Sequence, residues 1–156
     1  MCGRFVQIAS PADLEFSFQT TNPLPNVQPR YNAAPGQDLM VVRRHPETGQ
    51  RSLDLLRWGL IPHWAKDPKI AWSSINARAE TLDRRPAFRS AYRKRRCLVP
   101  ADAFYEWKKE GTRKQPYAIA LKSRELFAFA GLWENWQDPE TEQWVRTFNH
   151  YDRRQR

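Results

Sequence analysis

Mainly antiparallel, barrel-like β-sheet with a few short helices, an α+β arrangement, is the fold this sequence predicts, on three observations. From Cys97 onward, short apolar stretches alternate with turn signals. Upstream, Leu39-Met40-Val41-Val42 and Leu53-Asp54-Leu55-Leu56 flank His45-Pro46-Glu47-Thr48-Gly49 and read as a hairpin. Hydrophobic residues are 40% and aromatic residues 13% of 156 residues, which suits a packed core and argues against disorder.

The length suits one domain. Its first helix is announced by Ser10-Pro11-Ala12-Asp13. Ser10 can cap, Pro11 fits the first helical position and Asp13 answers as the capping-box partner, so a helix is expected from Pro11 to about Gln19. Pro23, Pro25, Pro29 and Pro35 make 21–36 an extended, ordered loop. A second long loop, 59–76, carries Trp64 and Trp72, and short helical turns follow between 79 and 92. Strands are then expected at 97–99, 103–108, 117–121, 126–133 and 143–148, with turns at 109–112, 121–124 and 138–142.

Charge narrows the function classes. There are 26 Lys+Arg against 17 Asp+Glu, a net +9. Seven cations (Arg84, Arg85, Arg89, Arg93, Lys94, Arg95 and Arg96) lie together without an acid among them. A solvated basic face is one reading; the self-repulsion of unbalanced charge favours the other, a phosphate backbone as counterion. Trp64 and Trp72, in loops, are candidates for base stacking, worth about 1–3 kcal/mol per base. Trp58, Trp107, Trp133, Trp136 and Trp144 sit in or beside strands and read as core. Two cysteines make no disulfide framework, and three scattered histidines give no zinc-ligand spacing, so no metal or cofactor is expected. Cys97 reads as a buried strand residue. No apolar run reaches the roughly 18–20 residues of a membrane helix, and the N-terminus lacks a signal-peptide layout.

Three residues can carry chemistry. Removal of Met1 would make Cys2 a 1,2-aminothiol. Its amine, with an ordinary pKa of about 7.7–8.0, can condense with an aldehyde, and its thiol can then close a thiazolidine. An incidental cysteine after Met1 is the other reading. Glu106, between aromatics in Phe104-Tyr105-Glu106-Trp107, is either a general acid/base or simply a residue facing water by strand alternation. Asn76 either orients a substrate through its amide or caps a helix.

Seven blocks carry a resemblance. They are Met1-Cys2-Gly3-Arg4-Phe5, Arg30-Tyr31-Asn32-Ala33-Ala34-Pro35-Gly36, Arg57-Trp58-Gly59-Leu60-Ile61-Pro62, Ile75-Asn76-Ala77-Arg78-Ala79-Glu80-Thr81, Cys97-Leu98-Val99-Pro100-Ala101, Phe104-Tyr105-Glu106-Trp107 and Gly131-Leu132-Trp133-Glu134. In that order they resemble the SOS response-associated peptidase (SRAP) family of abasic-site processing proteins. The resemblance implies a DNA-repair protein that binds single-stranded DNA in a basic groove of a β-rich fold. Its N-terminal cysteine crosslinks to the ring-opened aldehyde of an abasic site as a thiazolidine. Cys2 matches the nucleophile, Asn76 the asparagine that positions it, and Glu106 the carboxylate that shuttles protons. Arg4 and Arg78 match phosphate-contacting arginines, and Trp64 matches a loop aromatic near the bases. Asn32, from the second block, and Arg84 and Arg85, from the basic stretch, complete the expected DNA-binding set. Peptidase action on the protein's own N-terminus, lyase activity, a monomeric state and a cytoplasmic, nucleoid-associated location in a bacterium are also implied.

The chain departs from the family pattern after Phe148. That pattern continues through further strands to a His-x-Arg-Met-Pro block whose histidine promotes opening of the abasic sugar and reversal of the adduct. Here residues 149–156 read as a divergent basic tail behind a domain over 1–148, like a truncation or a shifted frame, and the sheet is expected to end on unpaired edges. His150 stands too early for the family histidine and is not assigned its role. Two rival readings follow: a non-catalytic single-stranded DNA-binding remnant, and a cysteine peptidase, for which His63 is the histidine placed to activate the thiol.

Overall fold

Ten strands and two α-helices organise the chain in the computed structural model, which describes residues 2–153. Met1, with the question of its removal, and the last three residues of the expected tail lie outside the described residues. Helix α1 (Pro11–Phe18) starts as its sequence predicts: Ser10 Oγ accepts the Asp13 N–H at 3.1 Å, and Asp13 Oδ2 accepts the Ser10 N–H at 3.3 Å. It ends on Gln19 in the left-handed conformation, φ 55°. Helix α2 (Pro86–Lys94) buries Phe88 and Ala91 against Leu132, Leu82 and Leu60.

The strands form two sheets. One runs β2 (Arg30–Ala33), β1 (Phe5–Gln7), β7 (Ala103–Glu110), β8 (Arg113–Ile119), all antiparallel. The other runs β4 (Arg51–Trp58), β3 (Asp38–Arg44), β6 (Arg96–Ala101), β9 (Phe127–Gln137), β10 (Trp144–Asp152), β5 (Asn76–Arg78). A parallel pairing of β10 with β4, at Thr147↔Arg57 and Phe148↔Trp58, closes five of these strands into a barrel. The α+β, barrel-like expectation therefore holds, and no described helix is long and apolar enough to cross a membrane.

Several details differ from the sequence reading. β1 was hidden because its three residues are all buried and give no alternation. β2 lies inside the predicted proline-rich loop; it is short and exposed on three of four residues, and pairing with β1 rather than its own pattern makes it a strand. β10 runs on to Asp152, because Asn149 and His150 pair with β9 on one side and His150 to Asp152 pair with β5 on the other. The strand expected as an open edge is thus flanked on both sides. Trp107 and Trp144, expected in the core, are 45% and 62% exposed: Trp107 lies on the opposite face of β7 from Phe104, and Trp144 opens β10 ahead of its buried run 147–150.

The core that positions the site is aromatic. Trp58 packs on Phe5 at 5.0 Å between ring centres and stacks on Phe148 at 6.2 Å. Each such ring removed from water contributes about 1.5–3 kcal/mol. Gln7, buried on β1, spends its whole amide on the second sheet. Its Nε2 donates to the carbonyls of Met40 (3.0 Å) and Pro100 (2.9 Å), and its Oε1 accepts the Met40 N–H at 2.9 Å. Gly131 is fixed by space rather than by conformation. A Cβ there would stand 2.6 Å from the Asn149 carbonyl and 2.9 Å from Cys97 Sγ. Gly131→Ala is expected to cost about 1–3 kcal/mol by overpacking three strands, measured as a lower urea midpoint with an unchanged slope.

Candidate active site around the N-terminal cysteine

Register builds the site. Cys97↔Gly131, Gly131↔His150 and His150↔Asn76 form one row across β6, β9, β10 and β5, so these side chains share the inward face. Gly131 contributes no side chain to that row. His150 therefore lies flat in the core, its ring stacked on Phe129 at 4.8 Å and tilted against Trp58 at 5.6 Å. Its Nε2 is 3.0 Å from the Cys2 carbonyl oxygen. A carbonyl only accepts, so Nε2 carries the proton in this bond. Burial holds the imidazole at a pKa of about 4, which keeps it neutral at physiological pH.

Cys2 enters from the other sheet. β1 pairs with β7 at Phe5↔Phe104, and the Tyr105 N–H donates to the Arg4 carbonyl at 2.9 Å, carrying the register toward the terminus. Cys2 is 5% exposed, and its thiol donates to the Arg4 carbonyl at 2.8 Å. Burial pushes its pKa up; hydrogen bonding at Arg4 opposes this, and the negative charge of Glu106 raises it further. Glu106, half-buried on β7, is therefore close enough for its charge to act on the sulfur. At neutral pH the sulfur therefore rests as a thiol, not as a thiolate. Asn76 contributes a buried Oδ1 that has no hydrogen-bond partner among the described residues, an acceptor awaiting a donor.

The other expected residues are more scattered. Arg4 is half-buried, its Nη1 donating to the Gly3 carbonyl at 2.8 Å, and Asn32 is exposed on neighbouring β2. Arg78 is exposed two residues beyond Asn76 on β5. Trp64 is exposed in the loop after β4. Arg84 and Arg85 are exposed just ahead of α2, with the Arg85 guanidinium 5.5 Å from the Phe88 ring centre. His63 does not serve the thiol: it is bonded through Nδ1 to the buried Glu134 at 3.0 Å. The histidine at Cys2 is His150, which sequence reasoning left out. Its one signal in the sequence is alternation, which puts it on the same strand face as Phe148.

The family model for SOS response associated peptidase (SRAP) matches residues 1–149. The chain belongs to the SRAP family. Abasic site processing protein YoqW of Bacillus subtilis strain 168 is 47% identical over 143 residues, covering 90% of this chain and 63% of YoqW. Abasic site processing protein YoaM of the same strain is 47% identical over 139 residues, covering 87% of this chain and 60% of YoaM. The chain thus spans under two thirds of the length of these relatives. A crystal structure of a Bacteroides thetaiotaomicron protein superposes with a TM-score of 0.85 at 24% identity, over 97% of this chain and 68% of that one, a likeness of fold. The SRAP match ends at residue 149, one residue before the histidine at the carbonyl of Cys2.

His150 ties stability to pH. Its pKa falls from 6.5 unfolded to about 4 folded, so between those values the unfolded chain binds more protons. The stabilisation is complete above pH 6.5 and is lost as pH falls toward 4, by about 3 kcal/mol in all. Urea unfolding at pH 7 and pH 4.5 should show this loss, and His150→Phe should lose less stability than wild type over the same interval.

Proposed function

We propose that this chain processes abasic sites in DNA by capturing the lesion covalently on Cys2 once Met1 is removed. What supports the reading is Cys2 buried on His150, Glu106 near enough for its charge to act on the sulfur and Asn76 opposite His150 in register, in a member of a family whose relatives are named abasic site processing proteins. A free α-amine and a thiol on one residue suit an aldehyde, and a ring-opened abasic sugar is the aldehyde of damaged DNA.

The chemistry balances without redox. The Cys2 amine adds to the aldehyde carbon and gives a carbinolamine. The Glu106 carboxylate takes the thiol proton and passes it to the hydroxyl, water leaves, and an iminium remains. Sγ, now a thiolate, attacks the iminium carbon and closes the five-membered ring. Aldehyde plus aminothiol becomes thiazolidine plus one water, and Glu106 ends as it began. A thiol that rests protonated suits this order, because it waits for the imine. The unpartnered Asn76 Oδ1 is suited to accept from the amine. The His150 bond to the Cys2 carbonyl fixes the residue from behind.

Arg4, Asn32, Arg78, Trp64, Arg84 and Arg85 form the proposed contact set for single-stranded DNA. Arginines would neutralise phosphates, and Trp64 offers a stacking face. Autoproteolytic and lyase activities, a monomeric state and cytoplasmic action belong to the same proposal.

Intact mass after incubation with an abasic single-stranded oligonucleotide tests it. The expected product is a one-to-one adduct that survives denaturation and has lost one water. Cys2→Ala should form none, and Glu106→Gln should form it at least about 100-fold more slowly. A Cys2→Ala protein that still forms a denaturation-resistant adduct would overturn the assignment, and salt-sensitive binding with no adduct from the Met1-free protein would favour a binding remnant.

A further inference from the structure

The basic stretch that reads as one cluster in sequence is divided by the fold. Arg84 and Arg85 precede α2, whereas Arg93, Lys94 and Arg96 follow at its far end, about 13 Å away along a nine-residue helix. The far group does not stand alone. It meets Arg44 and Arg51, from the β3–β4 hairpin, around a cleft of about 760 Å³. No residue lining the cleft is Asp or Glu. Arg43, also on its wall, is already paired with Asp54 at 2.9 Å. Arg44, Arg93, Lys94 and Arg96 have no carboxylate partner among the described residues.

The cleft lies on the opposite side of the barrel wall from Cys2. Along β6, Cys97 and Val99 point into the core that holds Cys2, so Arg96 and Leu98 point outward. Along β10, His150 points in to Cys2 and Tyr151 points out to the cleft. Leu98 is 41% exposed on the floor, beside Ala130. A strand engaged at Cys2 would have to pass round the wall to reach this face. Of the two rings on its lining, Tyr151 is packed edge-on against Tyr92 of α2 at 6.5 Å, and the exposed His45 turns its Nδ1 to the backbone N–H groups of Glu47 and Thr48 in its own turn. An aliphatic floor under a ring of unpaired cations matches carboxylates that flank an apolar side chain.

We infer that this outer cleft docks an acidic peptide segment of a partner protein, its carboxylates on Arg44, Arg51, Arg93, Lys94 and Arg96 and an apolar side chain on Leu98. Charge complementarity selects the partner: the protein supplies cations in excess and no counter-charge of its own. The site is independent of capture at Cys2, so it stands or falls separately from that reading.

The probe is a fluorescein-labelled nonapeptide of Asp and Glu around a central Leu-Phe pair, followed by anisotropy and by amide shifts in NMR spectra of the wild-type protein. Saturable binding is expected, with shifts at Leu98 and Tyr151 and none at Cys2. Two charge reversals on separate elements, Arg44→Glu on the hairpin and Lys94→Glu on the helix, should each weaken binding about tenfold, a 1.4 kcal/mol change. Both should leave the abasic adduct yield unchanged, which also shows that they fold. Replacing the Leu-Phe pair by Ser-Ser should weaken binding as well. Three results would overturn the inference: no saturable binding by wild type, equal losses from Arg84→Glu, or reversals that weaken single-stranded DNA binding and spare the peptide. The last would make the cleft a nucleic-acid surface.

Discussion

A chain terminus ordinarily has the fewest contacts and the most freedom in a domain, and this site exists only because Cys2 is denied that freedom. The restraint begins at Gln7. Its amide makes three buried hydrogen bonds to β3 and β6, so β1 is fastened to the second sheet rather than lying on it. Leaving any of those partners unsatisfied inside the core would cost about 1–3 kcal/mol, which makes the clamp specific as well as strong. Phe5, wholly buried against Trp58, seats the next part of the strand. By the time the chain reaches Cys2, both its thiol and its carbonyl have assigned partners. The position of Cys2 is thus inherited from packing several residues away.

β10 supplies the other half of the construction. It is antiparallel to β9 and parallel to β4 and β5, so it closes the barrel and carries His150 to the terminus in the same run of residues. The missing side chain at Gly131 is what allows the row from Cys97 to Asn76 to close up. Barrel closure and site assembly are consequently one event. A slip of one residue in β10 would turn His150 outward and put Tyr151 in its place.

Much of this was legible in the sequence. The cap of α1 was readable because it is local chemistry: Ser10, Pro11 and Asp13 act within one turn. The β3–β4 hairpin was readable for the same reason. The grouping of Cys2, Asn76 and Glu106 that the proposed function uses came only through the resemblance, since nothing local links residues so far apart. What could not be read depends on tertiary pairing. β1 and β2 are strands because they pair with each other, not because of their own pattern. The role of His150 depends on register with Gly131 and Asn76. The splitting of the basic stretch depends on where α2 ends and which face of β6 turns outward, neither of which a count of charges contains.

The buried, protonated state of Cys2 has a consequence for the working life of the molecule. Oxidants and alkylating agents attack the thiolate, so a thiol kept neutral and away from water is a poor target for them. Under the proposed capture the thiol is used once, so it has to last until the lesion arrives. Here the shelter comes first from burial, and the neighbouring Glu106 charge adds to it. Readiness and durability usually pull a reactive cysteine in opposite directions; under the proposed capture the switch between them would be the arrival of an aldehyde next to the amine.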